Sequence, residues 1–406
     1  MVTDELGLFD ERRTDRSRHQ PTRRRRKPRR SAGRKVGIWL SVLVVLALIG
    51  GGVWYGLTQI IGIDFGGYDD YAGPGEQDVV VEIPDGASTG VIASQLHEGG
   101  VVASTKAFVK AAEGNQKVLG IQPGFYVMKT KVSGQDAIAQ ILNPESRKGQ
   151  LEIRGGWQLE NIIKQDQSVE PGIIQRLATA SCAELNGKST CVPVEELVEV
   201  ARTGDLAALG VPEWAVPVAS ALEPQRRLEG LIMPGVYDVR PGSTAQELWQ
   251  KVVTESATRL QAFGLPKIAE DTGFTPYQVL TMASLIEREA IEKDFTKVSR
   301  VTYNRLASDI QLQYDSTVNY VLDRPDIRTR AEDREQAGPY NTYSRKGLPP
   351  GPIAAPSQTA IEAAAKPAEG PWLYFVRCQK DGTSCFAENI QQHEQNVEQA
   401  QANGAY

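Results

Sequence analysis

The chain has 406 residues, with 45 lysines and arginines against 50 aspartates and glutamates, which gives a net charge of −5. The charge is unevenly distributed, because residues 1–35 contain thirteen basic and five acidic residues and carry +8. The remaining residues therefore carry about −13, and a surface so acidic excludes nucleic acid as the partner of the folded part.

The N-terminal region predicts a membrane anchor. Residues 36–57 contain no charged side chain and follow a basic segment that includes four arginines and a lysine at 23–27. About 20 apolar residues in a helix suffice to cross the hydrocarbon core of a bilayer. Because positive charge is retained in the cytoplasm, we expect a cytoplasmic tail at 1–35, a single transmembrane helix at 36–57 and an extracytoplasmic remainder. The alternative is a cleaved signal peptide, but the long basic segment and the length of the apolar span favour an uncleaved anchor in the plasma membrane.

Four cysteines form two close pairs, Cys182 with Cys191 and Cys378 with Cys385. The second pair flanks a turn sequence after a strand-like segment at 372–376, and cysteines facing each other across a hairpin can meet disulfide geometry. Two local disulfides suit an exported protein, and four buried thiols are the alternative. A zinc site is not expected, because the chain has no Cys-x-x-Cys and its only histidines are His19, His97 and His393.

Sequence patterns divide the exported part into three regions. Residues 58–78 are rich in glycine and aspartate without periodicity, which predicts a linker. Residues 79–148 show the pattern of a β-α-α-β-α module, near the lower size limit for an independent core. From 149 to 406, strands and helices alternate without the regular spacing of a doubly wound sheet, which predicts an α+β domain. Glycine-rich phosphate loops are absent, so neither nucleotide chemistry nor a cofactor is expected.

The chemistry is expected on a helix that begins at Thr275, an N-cap residue followed by proline. At 100° per residue Glu287 falls within the apolar face of this helix, whereas its charged neighbours point toward water: Arg288, Glu289 and Glu292. A carboxyl desolvated on a buried face is protonated more easily and can serve as a general acid. The other interpretation is a structural glutamate paired with an arginine such as Arg305.

Segments downstream of this helix are dense in amide, hydroxyl and aromatic side chains, at 303–306, 312–318 and 339–343. Such residues bind carbohydrate, because rings stack on sugar faces while Asn and Gln form hydrogen bonds with hydroxyl and acetamide groups. The proline-rich run at 348–352 predicts a rigid loop that walls such a groove, or simply a turn.

These motifs together resemble the YceG/MltG family of endolytic murein transglycosylases. The matching segments occur in order between Val79 and Asn396, and they include Leu228-Glu229-Gly230, 283–289, 303–306, Leu312-Gln313 with Asp315, 340–343 and 347–353. Two departures concern groove details and not the class. Ser316 stands where the family often has proline, and the insert bearing Cys182 and Cys191 is not part of the common pattern.

The resemblance implies an inner-membrane anchor, a LysM-like module at 79–148 and a catalytic domain at 149–406. Such proteins cut the β-1,4 bond between N-acetylmuramic acid and N-acetylglucosamine inside nascent glycan strands, leaving 1,6-anhydro ends. Glu287 matches the family's catalytic glutamate and is expected to act as both general acid and general base. Five further residues are expected to bind substrate or orient Glu287: Glu229, Gln313, Asp315, Asn341 and Tyr343. Peptidoglycan is the implied substrate, with peptidoglycan synthases as further partners.

Two alternatives belong to other classes. A non-catalytic peptidoglycan-binding anchor or scaffold would keep its function after Glu287 is replaced. A hydrolase using Glu287 with Asp315 would release reducing ends instead of anhydro ends.

Overall fold

The computed structural model describes residues 67–164, 166–322, 330–336 and 338–405. The predicted tail at 1–35, the predicted transmembrane helix at 36–57 and most of the predicted linker at 58–78 lie outside the described residues. Within the described ranges, no helix combines the length and the apolar composition needed to span a bilayer. Residues Tyr68–Tyr406 form one compact unit that contains the rest of the architecture.

A small hydrophobic core lies in the N-terminal part of this unit. Strand β1 (Asp78–Ile83), rich in valine, pairs antiparallel with β2 (Gly124–Lys129), and β2 pairs with β3 (Arg147–Lys148). Three helices with serine N-caps surround the sheet: α1 (Thr89–Glu98), α2 (Thr105–Ala112) and α3 (Gly134–Ile141). The element order agrees with the predicted β-α-α-β-α pattern and adds β3, while the likeness to LysM modules stays a prediction.

The larger core consists mainly of helices, with strands only in short antiparallel pairs. Strand β4 (Gln150–Ile153) pairs with β9 (Gly235–Asp238), and two small hairpins are formed by β5 (Ile162–Ile163) with β6 (Val169–Glu170) and by β7 (Glu184–Leu185) with β8 (Lys188–Ser189). The helices of this part are α4 (Ile173–Ala180), α5 (Val194–Thr203), α6 (Val216–Ala221) and α7 (Ala245–Ala262). The fully buried Trp249 packs α7 into this core and donates a hydrogen bond to the Leu197 carbonyl at 2.9 Å.

Helix α8 (Pro276–Glu289) is enclosed by the rest of the larger core, since every residue from 279 to 286 is buried. Four helices follow it in the chain before the last strands: α9 (Phe295–Ala307), α10 (Asp315–Asn319), α11 (Ala331–Glu335) and α12 (Gln358–Ala365). Both α9 and α12 pack along α8. The exposed residues of α8, Gln278 and Arg288, lie near its two ends, so the charged residues at 287–289 lie where the buried stretch ends.

The chain ends in a hairpin of β10 (Tyr374–Arg377) and β11 (Ser384–Ala387), which packs against α13 (Ile390–Ala402). A disulfide between Cys378 and Cys385 closes this hairpin, and a second joins Cys182 to Cys191 across the β7–β8 hairpin. Both bonds have the local pairing expected from the sequence.

The predicted α+β class is confirmed, because helices and small sheets coexist without regular βαβ alternation. Short 3-10 turns complete the described structure at Gln116–Gly120, Pro144–Ser146, Pro224–Arg226, Lys267–Thr272 and Glu292–Asp294. The domain boundary between 148 and 149 stays a prediction.

Candidate active site

The end of helix α8 brings three charged side chains together. The helix starts with a capping box, in which Thr275 and Gln278 satisfy each other's backbone N–H groups, and Pro276 occupies the first turn. It ends after Glu289, because Ala290 adopts an extended conformation with φ −143° and ψ 174°. The last turn therefore presents Glu287, Arg288 and Glu289 in three different directions, about 100° apart.

A cleft of about 1090 Å³ opens beside this helix end. Its walls come from the end of α8, the segment 312–316, the β5–β6 hairpin, strand β10 and helix α13. Polar and aromatic side chains dominate the lining, which includes Gln158, Glu289, Arg305, Gln313, Asp315, Ser316, Tyr343, Tyr374 and His393. Rings and hydrogen-bonding groups in an open cleft of this size suit a carbohydrate chain.

Glu289 is the carboxylate of α8 that lines the cleft. Its Oε1 accepts hydrogen bonds from the Ser316 backbone N–H at 3.3 Å and from the Ser316 hydroxyl. Burial raises the pKa of Glu289 to about 7, and the nearby negative charge of Asp315 acts in the same direction, while Ser316 and Arg288 oppose the shift. A carboxyl with this pKa is half protonated at neutral pH and can give a proton to a substrate and take one back.

Asp315 and Tyr343 form a second polar group in the cleft. The Tyr343 hydroxyl donates a 2.7 Å hydrogen bond to Asp315 Oδ1, and Arg334 Nε lies 4.0 Å from the same oxygen. Asn341 is buried behind this pair, with 3% of its surface exposed, and its Oδ1 accepts from the Tyr343 backbone N–H at 2.8 Å. Asn341 thus orients Tyr343 and is not among the residues that line the cleft.

Gln313 lines the cleft in a strained backbone conformation with φ 57°, in the left-handed region. Its Oε1 accepts a hydrogen bond from Arg305 Nη1 at 3.1 Å, and its backbone N–H donates to the Thr342 carbonyl at 3.1 Å. Arg305 also donates to the carbonyls of Leu312 at 2.9 Å and Leu373 at 2.6 Å. One buried guanidinium therefore fastens helix α9, the cleft loop and the start of β10 together.

Glu287 lies on a different side of α8 and does not line the cleft. Its Oε2 accepts hydrogen bonds from the Ser357 backbone N–H at 2.9 Å and the Ser357 hydroxyl at 2.5 Å. Its Oε1 is so close to Gly155 that a Cβ built there would lie 2.2 Å from it. Glu287 therefore braces the turn at 155–157 against the N-terminus of α12, and the Arg305 pairing considered as an alternative for it does not occur.

The prediction that Glu289 faces water holds only in part. Arg288 and Glu292 are exposed as predicted, whereas Glu289 is half-buried in the wall of the cleft. The role predicted for Glu287 is not tested by these contacts, but Glu289 has the position and the pKa that a general acid needs.

Glu229 also lies away from the cleft, with only 3% of its surface exposed. Its Oε2 accepts from the Leu159 backbone N–H at 3.3 Å and the Tyr320 hydroxyl at 3.2 Å, and Oε1 has no hydrogen-bond partner among the described residues. Burial raises the pKa of Glu229 to about 7. The predicted site residues thus separate into Gln313, Asp315 and Tyr343 at the cleft, Asn341 behind them, and Glu229 and Glu287 elsewhere.

Residues 81–399 of the chain match the model of the YceG-like family. The chain belongs to this family. The match covers both hydrophobic cores and every residue of the cleft except Gln401.

Two relatives of this YceG-like chain carry the name endolytic murein transglycosylase. The protein of Bacillus subtilis strain 168 is 29% identical over 319 residues, which cover 78% of this chain and 82% of that protein. The protein of Streptococcus pneumoniae strain D39 is 25% identical over 377 residues, covering 88% of this chain but only 64% of the relative. A crystal structure of a YceG-like protein from Listeria monocytogenes is 24% identical and covers 79% of this chain and 99% of its own, with a TM-score of 0.48.

Several cleft residues of the YceG-like chain escaped prediction as site residues. His393 stacks on Tyr374, with ring centroids 5.3 Å apart and an angle of 26°, and both rings line the cleft. They come from α13 and β10, elements that show no catalytic pattern in the sequence. The sequence feature that could have indicated Glu289 is its spacing of two residues from Glu287. This spacing places the two carboxylates on nearly opposite sides of the helix, so only one of them can line a given cleft.

Proposed function

We propose that this chain is an endolytic murein transglycosylase that cuts the bond between N-acetylmuramic acid and N-acetylglucosamine in peptidoglycan strands. Membership of the YceG-like family and the names of its relatives support the class of reaction. The single observation that carries the chemistry is Glu289, a carboxyl whose pKa is raised to about 7, in a polar and aromatic cleft. We assign the role of general acid and base to Glu289 in preference to Glu287.

In the first step, protonated Glu289 gives its proton to the oxygen of the glycosidic bond. The bond from this oxygen to C1 of the muramic acid breaks, and positive charge develops at C1. The negative charge of Asp315 in the same cleft stabilises that centre electrostatically. The hydrogen bond from Tyr343 holds Asp315 in position during this step.

In the second step, the O6 hydroxyl of the same sugar attacks C1, and its proton passes to the Glu289 carboxylate. The product is a 1,6-anhydro end, and the glutamate is returned to its protonated state without consuming water. Because the attacking group is part of the substrate, a second carboxylate is not needed as a nucleophile or as a base for water. A residue with a pKa near 7 suits both steps, since it is neither too weak an acid nor too weak a base.

The proposal includes the location of the enzyme. The basic segment at 1–35 and the uncharged segment at 36–57 support a single-pass anchor in the plasma membrane, with the cleft outside the cytoplasm. Two disulfides support an oxidising compartment. At that membrane surface the enzyme meets newly made strands, which supports work beside the peptidoglycan synthases.

The test is mass spectrometry of products from uncrosslinked glycan strands, using the full-length chain in detergent. We compare wild type with Glu289→Gln and with the matched variant Glu287→Gln. We expect anhydro ends from wild type, fewer from Glu287→Gln and none above background from Glu289→Gln. Loss confined to Glu287→Gln would return the catalytic role to Glu287.

A hydrolase is the second candidate, favoured by the presence of a second carboxylate, Asp315, in the cleft. It would produce reducing ends in the same experiment, because water would replace O6 as the attacking group. A chain that binds strands without cleaving them would instead be a peptidoglycan-binding anchor, and Glu289→Gln would then leave binding unchanged.

A further inference from the structure

A second groove, of about 670 Å³, lies at the junction of the two hydrophobic cores. Its walls are β3 from the small core, β4 and the turn at 154–157 from the larger core, and one side of α4. We call it the basic groove, because its lining includes Arg147, Lys148, Arg154 and Arg176. It contributes no residue to the proposed reaction.

The cations of the basic groove exceed its carboxylates. Glu152 is the only acidic residue among the described residues that line it, and it pairs with Arg154 at 2.9 Å. Arg147 pairs with Asp238 at 3.2 Å, whereas among the described residues the one ion-pair partner of Lys148 is the exposed Glu145, at 3.8 Å. The groove therefore keeps a positive charge on a part of the chain that carries about −13.

Arg176 is fixed by two contacts and lies near enough to Glu152 to interact with it electrostatically. Its guanidinium stacks 3.6 Å from the ring centroid of Trp157, and its Nε donates to the Pro171 carbonyl at 3.0 Å. The terminal nitrogens Nη1 and Nη2 make no hydrogen bond or ion pair with the described part of the chain. A guanidinium fixed by stacking loses little entropy when it binds, and its planar fork matches a carboxylate.

The basic groove and the catalytic cleft are lined by consecutive residues at two points. Trp157 lines the groove and Gln158 the cleft, while Pro171 lines the groove and Glu170 the cleft. Consecutive Cα atoms are 3.8 Å apart, so the two linings are immediate neighbours there. The groove is therefore the cationic surface next to the cleft on the side of the β5–β6 hairpin.

We propose that the basic groove binds the carboxylates of the peptide arms attached to the muramic acid residues of the strand. This inference rests on the proposed function, because it takes the strand in the cleft to be peptidoglycan. The sugars of such a strand offer stacking and hydroxyl groups to the cleft, while its free carboxylates lie on the peptides. Arg176 and Lys148 bind these carboxylates, and Trp157 supports the guanidinium.

The first test measures binding by isothermal titration calorimetry to full-length Glu289→Gln protein, so that no cleavage intervenes. The probes are a soluble muramyl peptide with free carboxylates and the same compound with every carboxylate amidated. We expect the free acid to bind and Arg176→Gln with Lys148→Gln to weaken it at least tenfold, because each variant removes one charge-assisted hydrogen bond. Equal binding of the two probes, or no effect of the variants, would overturn the proposal.

The second test measures kcat and KM on strands that carry peptides and on the same strands after an amidase has removed them. We expect the double variant to raise KM at least tenfold on the first substrate only, with kcat unchanged. Lys110→Gln, an exposed lysine on α2 that lines neither cavity, is the control and should change neither. A KM effect equal on both substrates would overturn the inference, while absence of cleavage by wild type would contradict the proposed function and leave the binding test to decide.

One further variant and one competitor complete the experiment. Arg154→Gln alters a groove cation whose side chain is 66% exposed, so it should weaken binding of the free acid and leave the unfolding temperature unchanged. Inorganic phosphate is added as a competitor to distinguish a phosphate site from a carboxylate site. If phosphate at the same concentration displaced the free-acid muramyl peptide from the protein, the groove would be assigned to phosphate groups and the peptide assignment would be overturned.

Discussion

Glu229 and Glu289 share one electrostatic property and differ in almost everything else. Burial raises the pKa of each from 4.5 to about 7. Glu289 opens onto a cleft that also contains Asp315, Gln313 and Tyr343, whereas Glu229 is enclosed and bonded to Leu159 and Tyr320. A raised pKa therefore reports desolvation, and access to a substrate is what separates a catalytic carboxyl from a structural one.

The residues around Glu229 indicate that this buried carboxyl has a structural role. The Arg226 guanidinium lies 4.4 Å from the ring centroid of Tyr320 and 4.9 Å from that of Tyr340. Glu229 and these residues join the 226–230 segment to the end of α10 and to the loop before α12. Its polar contacts stabilise packing between distant parts of the chain and leave no room for a sugar.

The largest expected difference between the two glutamates is in activity. Glu289→Gln should lower kcat on glycan strands by about 10³-fold, because the amide cannot give up a proton, and general acid catalysis contributes 10²–10⁴-fold. Glu229→Gln should retain activity within a few-fold of wild type. A comparable loss in both variants would mean that access to the cleft is not what distinguishes them.

In stability the two glutamates should behave alike. A carboxyl with a pKa of 4.5 in the unfolded chain and about 7 in the folded chain favours folding in its protonated form, so stability falls as pH rises from 4.5 to 7. Glutamine does not ionise, so each Glu→Gln variant avoids the fall in folding stability that deprotonation causes. Each variant should therefore be more stable than wild type at pH 8, by about 3 kcal/mol. Urea unfolding at pH 8 and pH 4 measures this, and the gain should vanish at pH 4. A gain that persists at pH 4 would point to packing and not to titration.

Glu287 should show a smaller effect on activity than Glu289. Glu287→Gln weakens the brace between Ser357 and the turn at 155–157, and we expect about a tenfold loss of kcat, the scale of one charge-assisted hydrogen bond. Ser357→Ala removes the hydroxyl bond to Glu287 and also the N-cap of α12, so it should cause a loss at least as large. The double variant should fall short of the sum of the two single losses, because the hydroxyl bond is common to both. Fully additive effects would contradict a shared bracing role.

The smallest expected effect is a shift in pH dependence. Activity should fall as pH rises above about 7, because Glu289 must be protonated to act as the acid. Asp315→Asn removes a negative charge that raises the pKa of Glu289, so the falling limb of the kcat profile should move to lower pH by less than one unit. Tyr343→Phe removes only the hydrogen bond to Asp315 and serves as the control, and a limb that stays in place in Asp315→Asn would exclude coupling between the two carboxyls.

Local patterns predicted much of this fold. The valine-rich β1, the serine-capped helices and the start of α8 at Thr275 follow from propensity and capping, which act within a few residues. The two disulfides follow from short cysteine spacing. These features depend on residues close together in the sequence and not on contacts between distant parts of the chain.

Part of the candidate site was predicted from the sequence, and the errors in that prediction have a physical cause. Periodicity identifies the apolar face of a helix, but it cannot tell whether the opposite face meets bulk water or a cleft wall, so the half-buried position of Glu289 was not predicted. Asn341 and Glu229 were recognised as polar residues of interest, yet their roles depend on contacts such as the bond between Glu229 and Tyr320, 91 residues apart. Pairings over that distance leave no trace in a single sequence.

Glu289 is the final residue of α8, where the carbonyl groups of the last turn have no helical partners. That end of a helix carries a partial negative charge. A glutamate that has just released its proton there becomes an anion beside a like-signed pole, which favours recovery of a proton. In the proposed reaction the nearest proton is on the attacking sugar hydroxyl. The C-terminus of α8 therefore favours transfer of this proton to Glu289. Each reaction then ends with Glu289 protonated, as the next reaction requires, without proton exchange with solvent.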